Sequence, residues 1–217
     1  MTARRLPRAR KAAAAAVGAA AALVLAACGT GGGEPTRHTG HDSAPSASPS
    51  ASASVARSGH NAADVAFAQG MIPHHRQAVD MADMAEGRAA AKEVKDLAAA
   101  IKKAQDPEIR TLTGWLTSWG EQVPAEGAAD HSGHSGHGDA MSGMMTDQEM
   151  EQLEKSSGKA FDTAFLTLMI KHHQGAVTMA KTEQTQGSHP PARAMAGEII
   201  ASQSAEIAEM RELLGTD

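Results

Sequence analysis

The sequence predicts an all-α protein, a four-helix bundle built from a duplicated helical hairpin. The pattern Asp-x-x-Phe-x-x-x-Met-Ile-x-His-His-x-x-Ala-Val-x-Met-Ala starts at Asp64 and again at Asp162, an offset of 98 residues (162 − 64 = 98). Apolar residues recur in both copies at spacings of three and four, which is the periodicity of a helix face. The chain contains only three Phe, two Trp and no Tyr, so the core is expected to consist of Ala, Leu, Ile and Met.

Each repeat contains two helical segments. The same offset continues into the pattern Ile-x-x-x-Gln-x-x-Glu-Ile, which begins at Ile101 and again at Ile199. Repeat one is predicted over 62–119 and repeat two over 146–214, joined by a His/Met-rich loop over 121–145. Four helices of roughly 25 residues, each about 35–40 Å long, then form a bundle within 61–217.

Start and stop signals place the individual helices. Gly87 is a plausible end for the first helix, and Thr146-x-x-Glu149 is typical of a capping box that starts a short helix. Pro73 and Pro107 lie inside the first two predicted helices, but the apolar pattern continues past both, so we expect kinks and not breaks. The predicted helices cover about 62–87, 90–119, 146–155, 159–186 and 190–214.

The N-terminal 60 residues are predicted to lie outside the fold. A cluster of five basic residues and an Ala/Val/Leu run over 12–27 are typical of a secretory signal peptide covering 1–27. It ends in Leu-Ala-Ala-Cys28, which resembles the lipobox of bacterial lipoproteins, so Cys28 is the predicted lipidation site; an ordinary cleaved signal is the alternative. Residues 28–60 are rich in Gly, Ser, Pro and Ala and predict a flexible tether. The protein is therefore expected on the extracytoplasmic face of a bacterial membrane.

Charge and cysteine content exclude several classes of function. Removing 1–27 removes five basic and no acidic residues, which leaves 15 Lys and Arg against 25 Asp and Glu, a formal charge of −10. This charge argues against nucleic-acid binding and against adsorption to anionic lipid, so membrane contact is expected only through the lipid on Cys28. With no second cysteine, disulfides and cysteine-based zinc or iron–sulfur sites are excluded.

The repeated helix face carries candidate metal ligands. Each repeat places two thioethers and two adjacent imidazoles on one stripe, with an aspartate near its start. Thioether sulfur stabilises Cu(I) and imidazole accepts both Cu(I) and Cu(II), so the residue types rank copper above zinc and favour Cu(I). The alternative is that methionines fill the core and histidines hydrogen-bond within it. The candidate ligands are Met71, His74, His75, Met81, Met169, His172, His173 and Met179.

Two further groups of residues are secondary candidates. The loop between the repeats contains histidines and methionines among Gly and Ser, which suits weak metal capture by a mobile segment, with low-complexity drift as the alternative. Glu108, Glu206 and the glutamines three residues before them either point inward to support the histidines or lie solvated outside. The loop candidates are His131, His134, His137, Met141, Met144 and Met145.

The two motifs together resemble the domain-of-unknown-function family 305, also called CopM-like, over roughly 62–119 and 146–214. The resemblance implies a ferritin-like helical bundle, an extracytoplasmic location and, for CopM-type members, copper binding linked to copper tolerance. Its motif positions coincide with the eight candidate ligands named above. Pro73 directly precedes the first His pair and has Lys171 as its counterpart, so the two sites are expected to differ in geometry.

Three functions of different classes are consistent with the sequence. The first is a lipid-anchored protein that sequesters or hands on copper and is not an enzyme. The second is a ferritin-like metal oxidase, although the Glu-x-x-His pairs of di-metal carboxylate sites are missing from the predicted core helices. The third is a structural or partner-binding surface lipoprotein without a metal.

Overall fold

The computed structural model describes residues 59–125 and 142–216, which contain five α-helices and no strand beyond one isolated β-bridge. The all-α class is thus confirmed. The predicted signal peptide, Cys28, nearly all of the tether and residues 126–141 of the loop lie outside the described residues. The helices are α1 (Ala62–Arg88), α2 (Lys92–Trp119), α3 (Asp147–Lys155), α4 (Gly158–Gln186) and α5 (Pro190–Leu214).

The helix ends follow local chemistry. The predicted capping box is present at α3, where the Thr146 side chain accepts from the Glu149 backbone and the Glu149 side chain accepts from the Thr146 backbone. Helices α1 and α2 continue through Pro73 and Pro107 without interruption. Helix α1 runs to Arg88, one residue beyond the predicted stop.

The helices pack as two hairpins that meet through their first helices. Helix α1 packs against α2, α4 packs against α5, and the hairpins join along α1 and α4, with the short α3 contacting both. Helices α2 and α5 each pack mainly on the first helix of their own repeat. The finer prediction of a ferritin-like four-helix bundle stays a prediction.

Two apolar clusters reveal a pseudo-two-fold axis. The Phe165 cluster combines the second halves of α1 and α5 with the first halves of α2 and α4. The Phe67 cluster combines the first halves of α1 and α5 with the second halves of α2 and α4. Helices α1 and α4 are therefore antiparallel. Since Phe67 and Phe165 are repeat equivalents, the axis that relates the repeats exchanges the two clusters and runs across the helices.

A polar layer separates the clusters. On α1 the His74–His75 pair lies between Ile72 of the Phe67 cluster and Ala78 of the Phe165 cluster, and α4 repeats this arrangement in reverse. We call His74, His75, His172 and His173 the histidine layer. All four side chains are 0% exposed, so the duplication places four imidazoles in the interior of the helical domain.

Candidate metal centre

The centre of the histidine layer is a pair of repeat-equivalent rings. The ring centroids of His74 and His172 lie 3.7 Å apart with an interplanar angle of 40°. Equivalent residues that contact each other lie on or near the symmetry axis, so the pseudo-two-fold axis passes between these rings. The two stripes therefore face each other at this pair of rings.

The outer two histidines form matched pairs with glutamates. His75 Nε2 lies 2.7 Å from Glu108 Oε2, and His173 Nε2 lies 2.7 Å from Glu206 Oε2. Each glutamate comes from the second helix of the same repeat, and its side chain is only about one-fifth exposed (21% and 20%). The alternative left open by the sequence is thereby decided: both glutamates reach inward and contact the histidine layer.

Gln105 and Gln203, the other residues left open between inward and outward positions, are buried at 2% and 3% exposure. Their side-chain oxygens have no hydrogen-bond partner within the described residues. The glutamines therefore lie in the interior, beside the glutamates in sequence, but the glutamates make the contacts to the imidazoles.

Most ring nitrogens of the layer lack a partner. Three Nε2 atoms are engaged, those of His75 and His173 with their glutamates and that of His74 with the Ser142 carbonyl at 3.1 Å. The Nδ1 atoms of all four histidines and Nε2 of His172 are buried without a partner among the described residues. A buried polar atom without a partner costs about 1–3 kcal/mol, so five of them in one layer fit a site for a ligand better than a packing core.

Burial also sets the protonation of the central pair. Burial, followed by the neighbouring His75 and His173, lowers the pKa of His74 to about 3. Burial and the surrounding histidines likewise hold the pKa of His172 well below its usual range. Both rings are therefore neutral at physiological pH, so each offers a nitrogen lone pair without competition from a proton.

The candidate methionines flank the layer on both sides. Met81 and Met169 belong to the Phe165 cluster, and Met71 and Met179 belong to the Phe67 cluster. All four are buried, with exposures between 0% and 6%. Each side of the layer thus receives one thioether from each repeat.

The donor set is not that of a carboxylate or zinc centre. Across 59–125 and 142–216, no three His, Cys, Asp or Glu side chains come together in an arrangement that could hold a metal ion. An ion in this layer would therefore use few imidazoles and complete its shell with thioethers. That mixture of ligands suits copper, and Cu(I) above all.

The aspartates at the start of each stripe serve the fold instead. Asp64 accepts from the backbone amides of Ser188 (3.1 Å) and His189 (2.9 Å) in the turn of repeat two. Asp162 accepts from the amides of Ala90 and Ala91, both at 3.0 Å, in the turn of repeat one. Each aspartate therefore fixes the turn of the other repeat, and neither points into the histidine layer.

The end of the inter-repeat loop crosses the layer as an ordered strap, defined here as residues 142–145. Beyond its hydrogen bond to His74, the strap is held by Gln77, whose amide donates to the Met145 carbonyl (2.9 Å) and accepts from the Met145 amide (2.7 Å). Met144 and Met145 are buried. The expectation of a mobile loop is wrong for this segment, since a buried side chain clamps its backbone. The other loop candidates, His131, His134, His137 and Met141, lie outside the described residues.

Gly175 makes room for the strap. A Cβ atom at this position would lie 1.9 Å from the Ser142 carbonyl oxygen. Gly175 is the repeat equivalent of Gln77, so the strap contacts the same position in both repeats and crosses the pseudo-two-fold axis. Sequence reasoning missed both residues, although the Gln/Gly mismatch within an otherwise matched motif was a usable signal.

Fold and site together define a duplicated, all-helical protein with a buried His/Met layer. Residues 64–214 match the family DUF305 (domain of unknown function), and the chain belongs to this family. A DUF305 crystal structure from Streptomyces coelicolor, whose name describes it as a secreted protein, is 33% identical (TM-score 0.63; 70% of this chain and 92% of that chain covered). None of the curated proteins matches this chain.

Structures of CopM are also similar. CopM in its Cu(II)-bound form is 37% identical, with a TM-score of 0.58 and coverage of 69% of this chain and 94% of that chain. CopM in its Cu(I)-bound form is 34% identical, with a TM-score of 0.56 and the same coverage. The described helices of the present chain include none that is both long and apolar enough to span a bilayer.

Proposed function

We propose that this protein binds copper outside the cytoplasm, sequesters it or hands it on, and catalyses no reaction. The observation that carries the proposal is the histidine layer, in which five ring nitrogens are buried without a partner between two pairs of methionines. A purely structural layer would be expected to satisfy its polar atoms internally.

The choice of copper rests on ligand chemistry and on similarity. Buried thioethers on both sides of the layer favour a soft ion, and neutral imidazoles accept either oxidation state of copper. CopM, which is similar over most of both chains, has structures with Cu(I), Cu(II) and silver. Cu(I) is the preferred ion in this proposal because four thioethers flank the layer.

The oxidase alternative loses support from the positions of the carboxylates. Asp64 and Asp162 are engaged by backbone amides of the opposite turns. Glu108 and Glu206 each face a different histidine. A di-metal carboxylate centre needs carboxylates that converge, and these four do not meet at one site.

The location forms part of the proposal. A signal peptide over 1–27 and a lipid on Cys28 would tether the domain to the outer face of the membrane. Metabolic labelling with a fatty-acid analogue should label the parent chain and not the Cys28→Ser variant. Equal labelling of both, or of neither, would contradict the lipid on Cys28 and leave the copper proposal unaffected.

Competitive titration tests the copper proposal directly. The chain from residue 28 with Cys28→Ser is titrated anaerobically with Cu(I) against a chromophoric chelator. We expect tight binding that persists when the three loop histidines His131, His134 and His137 are changed to Ser. Binding should be lost when all four layer histidines are changed to Ala.

The quadruple variant needs a control for folding. Circular dichroism reports its helix content, and the milder double variant His75→Leu, His173→Leu preserves side-chain volume if the quadruple variant unfolds. Failure of the parent chain to compete with the chelator would overturn the proposal. So would unchanged binding in a folded layer variant.

A further inference from the structure

The hydrogen bonds of the layer determine which ring nitrogen is available to an ion. Nε2 of His75 and His173 faces a carboxylate oxygen at 2.7 Å, and Nε2 of His74 faces the Ser142 carbonyl oxygen at 3.1 Å. Carboxylate and carbonyl oxygens only accept hydrogen bonds. In these three rings Nε2 must therefore carry the hydrogen.

An imidazole that binds a metal ion is neutral, with one N–H group and one lone pair. With the hydrogen on Nε2, the lone pair lies on Nδ1. The Nδ1 atoms of these three rings are buried and have no partner among the described residues. The protein thus fixes one tautomer by hydrogen bonding and leaves the opposite nitrogen free.

We propose that a layer histidine among His74, His75 and His173 that binds an ion does so through Nδ1, and that Glu108 and Glu206 are positioning residues that select this nitrogen in His75 and His173. The inference rests on the proposed copper function and adds the ligating atom and the residues that prepare it. A carboxylate that accepts from the second nitrogen of a ligating histidine fixes the ring orientation and makes the ligating nitrogen more basic.

The assignment separates the two central rings. His74 donates to the Ser142 carbonyl of the strap, whereas its counterpart His172 has no hydrogen bond to the strap or to a glutamate among the described residues. The inference therefore assigns no ligating nitrogen to His172. The strap crosses the axis once and supplies its acceptor to one ring only.

Nitrogen NMR of the uniformly ¹⁵N-labelled chain, from residue 28 with Cys28→Ser, tests the inference. Long-range ¹H–¹⁵N correlation distinguishes protonated from unprotonated ring nitrogens, and single His→Gln variants assign the signals. Without metal, we expect protonated Nε2 and unprotonated Nδ1 in His74, His75 and His173. His189 is an internal control with the opposite tautomer, because its Nδ1 faces the Gly59 carbonyl oxygen at 3.0 Å.

Ag(I) then serves as a diamagnetic probe of the ligating atom. We expect those of the three residues that bind silver to show shifted Nδ1 signals with coupling to silver, whereas their Nε2 atoms remain protonated. Silver coupling at Nε2, or protonated Nδ1 before silver is added, would overturn the inference while leaving copper binding intact. If no layer histidine responds to Ag(I) or Cu(I), the proposed function fails and the ligand assignment falls with it.

Variants of one glutamate test the positioning role. Glu206→Ala should lower Cu(I) affinity by roughly 10–100-fold and release His173 from its single tautomer. Glu206→Gln retains an acceptor oxygen and should restore the tautomer and part of the affinity. Glu209→Ala is the matched control, because Glu209 is exposed on the same helix. Unchanged affinity and tautomer in Glu206→Ala would overturn the role of the glutamate.

Discussion

Repeat one and repeat two place the same side chains in the histidine layer and different side chains beside it. The His75–Glu108 and His173–Glu206 distances are equal at 2.7 Å, whereas Gln77 in repeat one corresponds to Gly175 in repeat two. The difference follows from chain connectivity. One loop connects the two hairpins, and its end, the strap, can contact only one hairpin through Gln77 and the other through Gly175. The symmetry is therefore lost where the strap crosses the axis.

The largest expected effect on stability comes from Asp64 and Asp162, each of which binds the turn of the other repeat. Asp64 accepts from the amides of Asn61, Ser188 and His189 and from the Ser188 hydroxyl, whereas Asp162 accepts from two amides. Burial alone would raise the pKa of Asp64, but the backbone hydrogen bonds outweigh it and lower that pKa. The Asp64 carboxylate is therefore strongly stabilised in the folded state.

We expect Asp64→Ala to cost about 3–4 kcal/mol of unfolding free energy and Asp162→Ala about 1–2 kcal/mol, since hydrogen bonds to charged groups are each worth about 1.5–3 kcal/mol and are not additive. Chemical denaturation of both variants measures the difference. Asp83→Ala is the control, because Asp83 pairs with Lys102 on the surface and should have little effect. Equal losses in the two repeats would contradict the structural asymmetry.

Gly175→Ala is expected to have the next largest effect on stability, and the position is a glycine only in repeat two. Alanine favours a helix over glycine by about 1 kcal/mol, but its Cβ atom would lie 1.9 Å from the Ser142 carbonyl oxygen. The strap must move, and we expect a net loss of about 1–3 kcal/mol together with faster amide exchange at Met145. Differential hydrogen exchange and thermal melting measure both effects.

Gly114→Ala is the matched control for the strap. Gly114 lies within α2, and a Cβ atom there would meet nothing within 4 Å. This variant should become slightly more stable and leave exchange at Met145 unchanged. If Gly175→Ala behaves in the same way, the strap is not held against α4 as described.

The sequence was sufficient for the parts of the structure that depend on local signals and on the repeat. Capping residues and helix periodicity predicted the helices to within a few residues at most ends, and duplication predicted two equivalent hairpins. Periodicity could not show that Asp64 and Asp162 reach the turns of the opposite repeat, because those contacts cross more than 70 residues. Composition suggested a mobile loop, but the buried Gln77 amide fixes its last residues.

The inward positions of Glu108 and Glu206 also depend on tertiary contacts. Their side chains are about one-fifth exposed (21% and 20%) and so lie at the edge of the buried face, from which a long side chain can reach either way. The choice is made by the histidine on the neighbouring helix, which provides a hydrogen-bond partner in the interior. At such boundaries tertiary contacts determine whether a side chain points inward or outward, and a local sequence pattern does not contain those contacts.

The third prediction concerns Glu183, a buried glutamate at a position that is not acidic in repeat one. Glu183 corresponds to Ala85 and is 1% exposed, and burial followed by the neighbouring Asp64 carboxylate raises its pKa to about 8. Since the ordinary value is 4.5, the folded protein binds more protons than the unfolded chain between these pH values. Stability should therefore fall as pH rises from about 4.5 to about 8.

Glu183→Gln should remove this part of the pH dependence. Between pH 5 and pH 9 we expect the parent chain to lose more than about 1 kcal/mol beyond the loss in the variant, because one pKa unit corresponds to about 1.4 kcal/mol. Urea denaturation at both pH values measures the difference, and Glu86→Gln on the exposed face of α1 is the control. Parallel pH profiles of parent and Glu183→Gln would show that Glu183 is ionised in the folded protein at neutral pH.

The smallest expected change in stability belongs to the methionines, and it separates packing from metal binding. Met81 and Met179 are repeat equivalents that lie in different apolar clusters. Replacing either by Leu conserves volume and should cost less than about 1.5 kcal/mol, but it removes a thioether. Because thioethers stabilise Cu(I) selectively, we expect each variant to bind Cu(I) more weakly and Cu(II) about as well as the parent chain.

The symmetry of the layer predicts similar losses of Cu(I) affinity in both repeats. An unchanged Cu(I) affinity would show that the methionines only pack, whereas a loss confined to one repeat would show that the strap makes the two halves of the layer unequal as metal sites.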